Sequence, residues 1–291
     1  MTKPLYKYLK PEDIRKLSSY EFAPKHIVEG WLSGRHRSRS RGLSTEFRDY
    51  RQYVSGDDPK MIDWKVFARS DRYFIRTFEQ ETNTACYIFL DSSASMGFGR
   101  KITKLDYASF FTAALCYLVT KSSNLVSLQI FDDKIRKFFP PGSTGKHLQS
   151  LMSALEKNYS GNRTNLSEAL SKAFPLLRRR GSLIVVSDFL DDPVAIFSAL
   201  GKYLHKGCKI YLFHIIAPEE INLEPEGLTR FVDMENLGRV TVHAETIKAL
   251  YNKEISAHIG KIREMSMRRG VDYTVARTDS HYFELFERLV K

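Results

Sequence analysis

From residue 85 the chain alternates short, continuously apolar runs with longer stretches whose apolar positions recur every three to four residues. The run at 85–90 (ACYIFL) ends in Asp91, and residues 105–120 follow with Leu105, Ala108, Phe111, Thr112, Leu115, Leu118 and Val119 at helical spacing. Residues 125–131 read as a strand, and 135–139 as a segment that pairs back on it across Asp132-Asp133 before Pro140, Pro141 and Gly142 break the chain. Residues 147–155 and 166–177 carry helical spacing, the latter despite Pro175, which should end or kink it. A second buried strand is expected at 182–186, then a helix from the cap Asp192-Pro193 to about His205, then the strand 209–216. Continuous apolar strands separated by helices predict a mostly parallel sheet covered on both faces, a doubly wound α/β fold.

Two regions leave this rhythm. Residues 228–232 and 240–243, joined through Asn236-Leu237-Gly238, predict a hairpin inserted before a helix over about 245–267. A strand at 271–276 and a helix from Tyr282 then close the sheet. The first 80 residues hold two amphipathic helical stretches and strand-like pieces at 47–54 and 73–78. The expected division is an N-terminal extension, 1–82, packed on a main domain, 83–291. In the extension, Trp64, Phe47 and Phe67 favour a structural clamp over a docking face, because their rings need burial.

Composition narrows the function classes. No apolar run approaches the roughly 18 residues of a membrane span, and the basic start of the chain lacks the apolar stretch of a secretory signal, so a cytoplasmic location is expected. Three widely spaced cysteines in apolar contexts predict free, buried thiols. The net charge of +11 attracts polyanions, with one dense cluster at Arg35, Arg37, Arg39 and Arg41. That cluster has no interleaved aromatics and reads as a solvated basic loop.

The chemistry concentrates after the first buried strand, where Asp91-Ser92-Ser93-Ala94-Ser95 forms a DxSxS motif. Ligands of doubly wound sheets bind at the carboxyl ends of the strands, where adjacent loops diverge. Thr164, in the loop before a helix, and Asp188, at the end of the next strongly apolar strand, fall at the same edge. Asp91, Ser93, Ser95, Thr164 and Asp188 together offer three hydroxyls and two carboxylates, a donor set suited to a hard cation such as Mg²⁺ or Mn²⁺. Such a cation keeps affinity for one more anionic oxygen, which a partner's Asp or Glu can supply. Each residue also has a simpler reading, since Asp, Ser and Thr after a strand cap helices and Asp188 can serve an ordinary turn.

These residues resemble the metal-ion-dependent adhesion site of the von Willebrand factor type A fold. The chain as a whole resembles the bacterial family called domain of unknown function 58. That likeness runs through Val28-Glu29-Gly30, Gly34-Arg35-His36-Arg37-Ser38, Glu46-Phe47-Arg48-Asp49-Tyr50-Arg51, Gly56-Asp57-Asp58-Pro59, Ile62-Asp63-Trp64 and Glu79-Gln80-Glu81-Thr82-Asn83. It continues through Asp91 to Met96 and Ser187-Asp188-Phe189-Leu190, and covers about residues 20 to 290. The resemblance implies a metal-site adaptor that works beside a MoxR-type AAA+ ATPase in protein maturation or remodelling. Members of the family often carry Gly directly before the site Thr; here Arg163 stands there, with Gly161 two residues earlier. A cationic side chain at that place opposes metal binding.

Enzyme motifs are missing: the sequence has no GxSxG, GxxxxGK, GxGxxG or HExxH. A haloacid-dehalogenase phosphatase needs a second Asp where Ser93 stands. His214, inside an apolar strand, reads as a satisfied core residue. The leading expectation is therefore a non-catalytic, metal-dependent protein binder. A basic nucleic-acid or phosphate binder comes next, and a metal-dependent hydrolase using Asp188 with Asp191 and Asp192 last.

Overall fold

The structure, a computed structural model, describes residues 6–20, 45–54, 59, 62–80, 85–177, 179–221, 227–234 and 238–288. Several motif residues therefore lie outside the described residues: Val28 to Gly30, Gly34 to Ser38, Arg39, Arg41, Gly56 to Asp58, Glu81 to Asn83, and Asn236 with Leu237. The chain forms two compact units, one of Met1–Arg35 with Thr84–Lys291, the other of His36–Asn83.

In the first unit, helix α1 (Pro11–Leu17) belongs to the same core as the sheet, through Tyr8, Leu9 and Leu17. The Tyr8 hydroxyl donates to Asp106 Oδ1 at 2.6 Å, and Lys7 pairs with the same oxygen at 2.9 Å. The smaller unit is an antiparallel pair, β1 (Thr45–Gln52) and β2 (Phe74–Gln80), joined by helix α2 (Trp64–Ser70). Asp63 caps α2 by accepting from Lys65 N, and Asp71 ends it in the left-handed region. Phe67 stacks on Tyr73 at 4.6 Å. Trp64, however, is 59% exposed, so the burial expected of its ring is not found.

The larger unit carries a six-stranded sheet, ordered β10-β7-β6-β3-β4-β5. Its strands are β3 (Ala85–Asp91), β4 (Leu125–Phe131), β5 (Ile135–Gly142), β6 (Gly181–Ser187), β7 (Lys209–Ile216) and β10 (Asp272–Arg277). All neighbours are parallel except β5, which runs antiparallel to β4 at the edge. Pro140 and Pro141 do not break the chain as expected, because β5 runs on to Gly142. An edge strand has one side free of ladder hydrogen bonds, so it tolerates residues without an N–H.

The alternation of side chains along β3 builds two cores. Cys86, Ile88 and Leu90 face a layer formed by α3 (Lys104–Lys121), α4 (Gly145–Glu156) and the C-terminal α9 (Phe283–Arg288). Ala85, Tyr87 and Phe89 face α5 (Leu166–Ala173), α6 (Pro193–His205) and Ile262 of the long α8 (Ala244–Arg269). Helix α3 is buried around most of its circumference, as fits the central helix of its layer. Helix α5 stops at Ala173 and passes into a 3₁₀ turn holding Pro175. Between β7 and α8 lie the short α7 (Pro218–Ile221) and the antiparallel hairpin of β8 (Leu228–Val232) and β9 (Arg239–His243). The fold is thus the doubly wound, mostly parallel α/β sheet expected from the sequence. All three cysteines are free and buried. Among the described residues, no helix is long and apolar enough to cross a membrane.

Candidate functional site

In this strand order the chain leaves β3 to one side for β4 and crosses back to the other for β6. The crevice this opens at the carboxyl ends is the ligand position of doubly wound sheets. Asp91 is the last residue of β3, and Asp188 follows β6 directly. Their side chains are buried, at 0% and 2% exposure.

Hydrogen bonds join four of the five expected site residues, Asp91, Ser93, Ser95 and Thr164, and Ser95 acts electrostatically on the fifth, Asp188. Asp91 Oδ1 accepts from Ser93 N at 2.9 Å, and Asp91 Oδ2 accepts from Thr164 Oγ1 at 3.2 Å. The hydroxyls of Ser93 and Ser95 lie 3.1 Å apart, and the Ser95 hydroxyl helps to lower the Asp188 carboxyl. The capping alternatives do not claim these groups. Asn165, not Thr164, caps α5, Thr103 caps α3, and Ser93 makes no side-chain cap bond to the 3₁₀ turn that follows it.

The loop bearing Thr164 is fastened to the DxSxS loop by two backbone bonds, Gly161 N to Ser92 O at 2.7 Å and Ala94 N to Asn162 O at 2.8 Å. Asp132, at the end of β4, accepts from Asn162 N at 3.3 Å and lies 3.7 Å from Arg136 Nε. A Cβ at Gly161 would stand 2.5 Å from Asp132 Oδ2 and 2.9 Å from an Arg136 guanidinium nitrogen, so a side chain there would displace the Asp132–Arg136 pair. Arg163 is exposed on the same loop.

Electrostatics separate the two carboxylates. Burial, followed by the nearby Asp188, pushes the Asp91 carboxyl up to about 7. Burial acts on Asp188 in the same sense, but the Lys104 ammonium outweighs it and holds that carboxyl below its usual range. Lys104 Nζ donates to Asp188 Oδ2 at 2.8 Å and to Glu220 Oε1 at 2.5 Å. Past Asp188 a cavity of about 190 Å³ is walled by Leu190, Ile216, Tyr251, Ile255 and His258 among others. His214, also on its wall, bonds Tyr273 OH through Nδ1 at 2.7 Å, and burial pushes its pKa down to about 3. It is the satisfied core histidine expected.

Three participants escaped the sequence reading. Ser187 donates to Asp91 Oδ2 at 2.6 Å and accepts from Phe189 N at 2.9 Å, helping to hold Phe189 at φ 53°, a strained value for a bulky residue. Its signal was a hydroxyl closing an apolar strand directly before Asp188. Lys104 and Glu220 left no signal in the sequence. Asp191 and Asp192, candidates for a two-metal centre, are occupied elsewhere: Asp191 accepts from Ser167 N at 3.3 Å, and Asp192 caps α6.

The donor chemistry fits a hard divalent cation. Of the two carboxylates and three hydroxyls, Asp91, Asp188, Ser93 and Ser95 are buried and Thr164 is half-buried, and Asp91 is met by hydroxyls rather than by an ammonium or guanidinium group.

The family described as Protein of unknown function DUF58 matches residues 49–261. The chain is 24% identical over 230 residues to the uncharacterized protein Rv1480 of Mycobacterium tuberculosis, covering 78% of this chain and 72% of that protein. The same figures hold for the uncharacterized protein Mb1516 of Mycobacterium bovis. Among solved structures, BatB from Bacteroides thetaiotaomicron is similar with a TM-score of 0.50 and 17% identity, over 71% of this chain and 97% of that one. An aerotolerance-related membrane protein from Bacteroides fragilis is similar with a TM-score of 0.50 and 14% identity, over 71% and 96%. At these identities the likeness is one of fold.

Proposed function

This chain belongs to the DUF58 family, and from that premise we propose that it is a metal-dependent protein-binding adaptor, not an enzyme. The observation that carries the reading is the convergence of Asp91, Ser93, Ser95, Thr164 and Asp188, from three separate loops, at the carboxyl edge, the first four joined by hydrogen bonds and Ser95 acting on Asp188. Asp91 and Asp188 supply charge and the three hydroxyls supply neutral oxygens. A bound Mg²⁺ or Mn²⁺ in so lightly charged a set stays electrophilic and attracts one further carboxylate, which an Asp or Glu of the partner provides. The fixed loops hold the donors in place beforehand, so little ordering is needed when the partner arrives. The engagement of Asp191 by Ser167 N and the capping duty of Asp192 support the non-catalytic reading.

The resemblance that runs from the upstream motifs to Leu190 points to a MoxR-type AAA+ ATPase as the partner, with the chain acting as its adaptor in protein maturation or remodelling. The test is capture from native lysate with wild type and Asp91→Asn, each with Mg²⁺ and with EDTA, read by mass spectrometry. An AAA+ ATPase held only by wild type with Mg²⁺ is the expected result. Equal capture in all four arms, or capture dominated by nucleic acid that falls steeply with salt, contradicts the reading and turns attention to the basic surface.

A further inference from the structure

Lysine is almost never fully buried unless its charge is paired, and Lys104 is 0% exposed. It is the first residue of α3, beside the cap Thr103. Its ammonium bridges two acidic side chains from distant parts of the chain: Asp188 after β6, 2% exposed, and Glu220 in α7, 17% exposed. Glu220 is itself anchored, its second oxygen accepting from Ala217 N at 2.9 Å. One buried ammonium thus joins the start of α3, the end of β6 and the turn after β7, and it does so on a carboxylate assigned above to the cation site.

Charge counting gives this arrangement its meaning. Ionised Asp91, Asp188 and Glu220 carry three negative charges and Lys104 carries one positive, leaving two, which a single divalent cation neutralises. Lys104 engages Asp188 Oδ2, while Leu190 N donates to Asp188 Oδ1 at 3.3 Å. Asp188 is therefore a shared carboxylate, already compensated in part from within the protein. Asp91 has no comparable service from Lys104, whose ion-pair partners are Asp188 and Glu220.

We propose that Lys104 is a built-in counter-cation that positions Asp188, keeps the site folded without metal and weakens its hold on a divalent ion. Tight binding then requires the partner's carboxylate. This rests on the metal-site reading above and goes beyond it: it makes the free protein a weak metal binder by construction and names the residue responsible. A purely structural lysine would have the opposite signature, since its loss would loosen Asp188 and weaken the site.

The experiment is calorimetric titration of Mg²⁺ into wild type, Lys104→Met and Glu220→Gln, with urea unfolding of each in EDTA and in Mg²⁺. Lys104→Met is expected to bind Mg²⁺ several-fold to about tenfold more tightly, because a like charge close to the ion has gone. It is also expected to unfold at lower urea without metal and to recover more on adding Mg²⁺ than wild type does. Glu220→Gln, which leaves the lysine's charge less balanced, is expected to bind Mg²⁺ several-fold more weakly. Unchanged or weaker binding by Lys104→Met overturns the proposal while leaving the metal site standing. If Lys104→Met does not fold, Glu220→Gln decides alone, and unchanged affinity in it overturns the proposal. No Mg²⁺ binding by any of the three proteins removes the metal-site reading itself, and this proposal with it.

Discussion

Two carboxylates end neighbouring strands of the same sheet, equally hidden from water, and their surroundings drive them in opposite directions. Asp91 is met by the hydroxyls of Thr164 and Ser187 and by one backbone N–H, and its carboxyl rises to about 7. Asp188 is met by a buried ammonium, and its carboxyl falls below the usual range. Hydroxyl and amide dipoles offset only part of the cost of burying a charge, whereas a full opposite charge at 2.8 Å offsets more. The difference divides the crevice into a half whose charge the protein balances by itself and a half that it leaves without an opposite charge.

The largest effect should come from removing the balanced half. In metal-free protein, Asp188→Asn leaves Lys104 buried with Glu220 as its remaining acidic partner, and should cost about 3 kcal/mol. Asp91→Asn replaces an uncompensated buried carboxylate with a neutral isostere and should change stability by less than about 1 kcal/mol. Urea unfolding in EDTA measures both, and equal losses would abolish the asymmetry. A smaller effect concerns His214, beside Asp188 on the cavity wall. Burial lowers its folded pKa to about 3, against the attraction of the Asp188 charge. In the unfolded chain it takes up a proton below about 6.5. Its contribution is therefore complete above pH 6.5 and is lost as pH falls toward 3. Between pH 7 and pH 5 that loss should be about 2 kcal/mol, and His214→Gln should remove that share of the pH dependence. A pH slope unchanged in the variant would show that the histidine is not held neutral.

The same two halves differ in how far the sequence discloses them. Asp91, Ser93 and Ser95 lie within five residues after an unbroken apolar run, so strand, turn and donors are read together. Thr164 and Asp188 follow from the α/β rhythm, which puts their loops at the same edge. Lys104 meets Asp188 across 84 residues and Glu220 across 116, and no periodicity marks one lysine out of 45 basic residues. Nor does the sequence show that β5 continues through Pro140 and Pro141, because that depends on its place at the edge of the sheet. Local pattern discloses what a strand end presents, while the tertiary partner that sets its charge emerges only when distant segments pack.

The central claim is that the Asp91 half of the crevice is built to receive a divalent cation. Its most direct test is calorimetric titration of Mg²⁺ into wild type and into Asp91→Asn, the variant expected to keep the fold. The account predicts saturation at about one ion per chain in wild type and no saturable binding in the variant. Equal binding by the two proteins, or none by wild type, would contradict it.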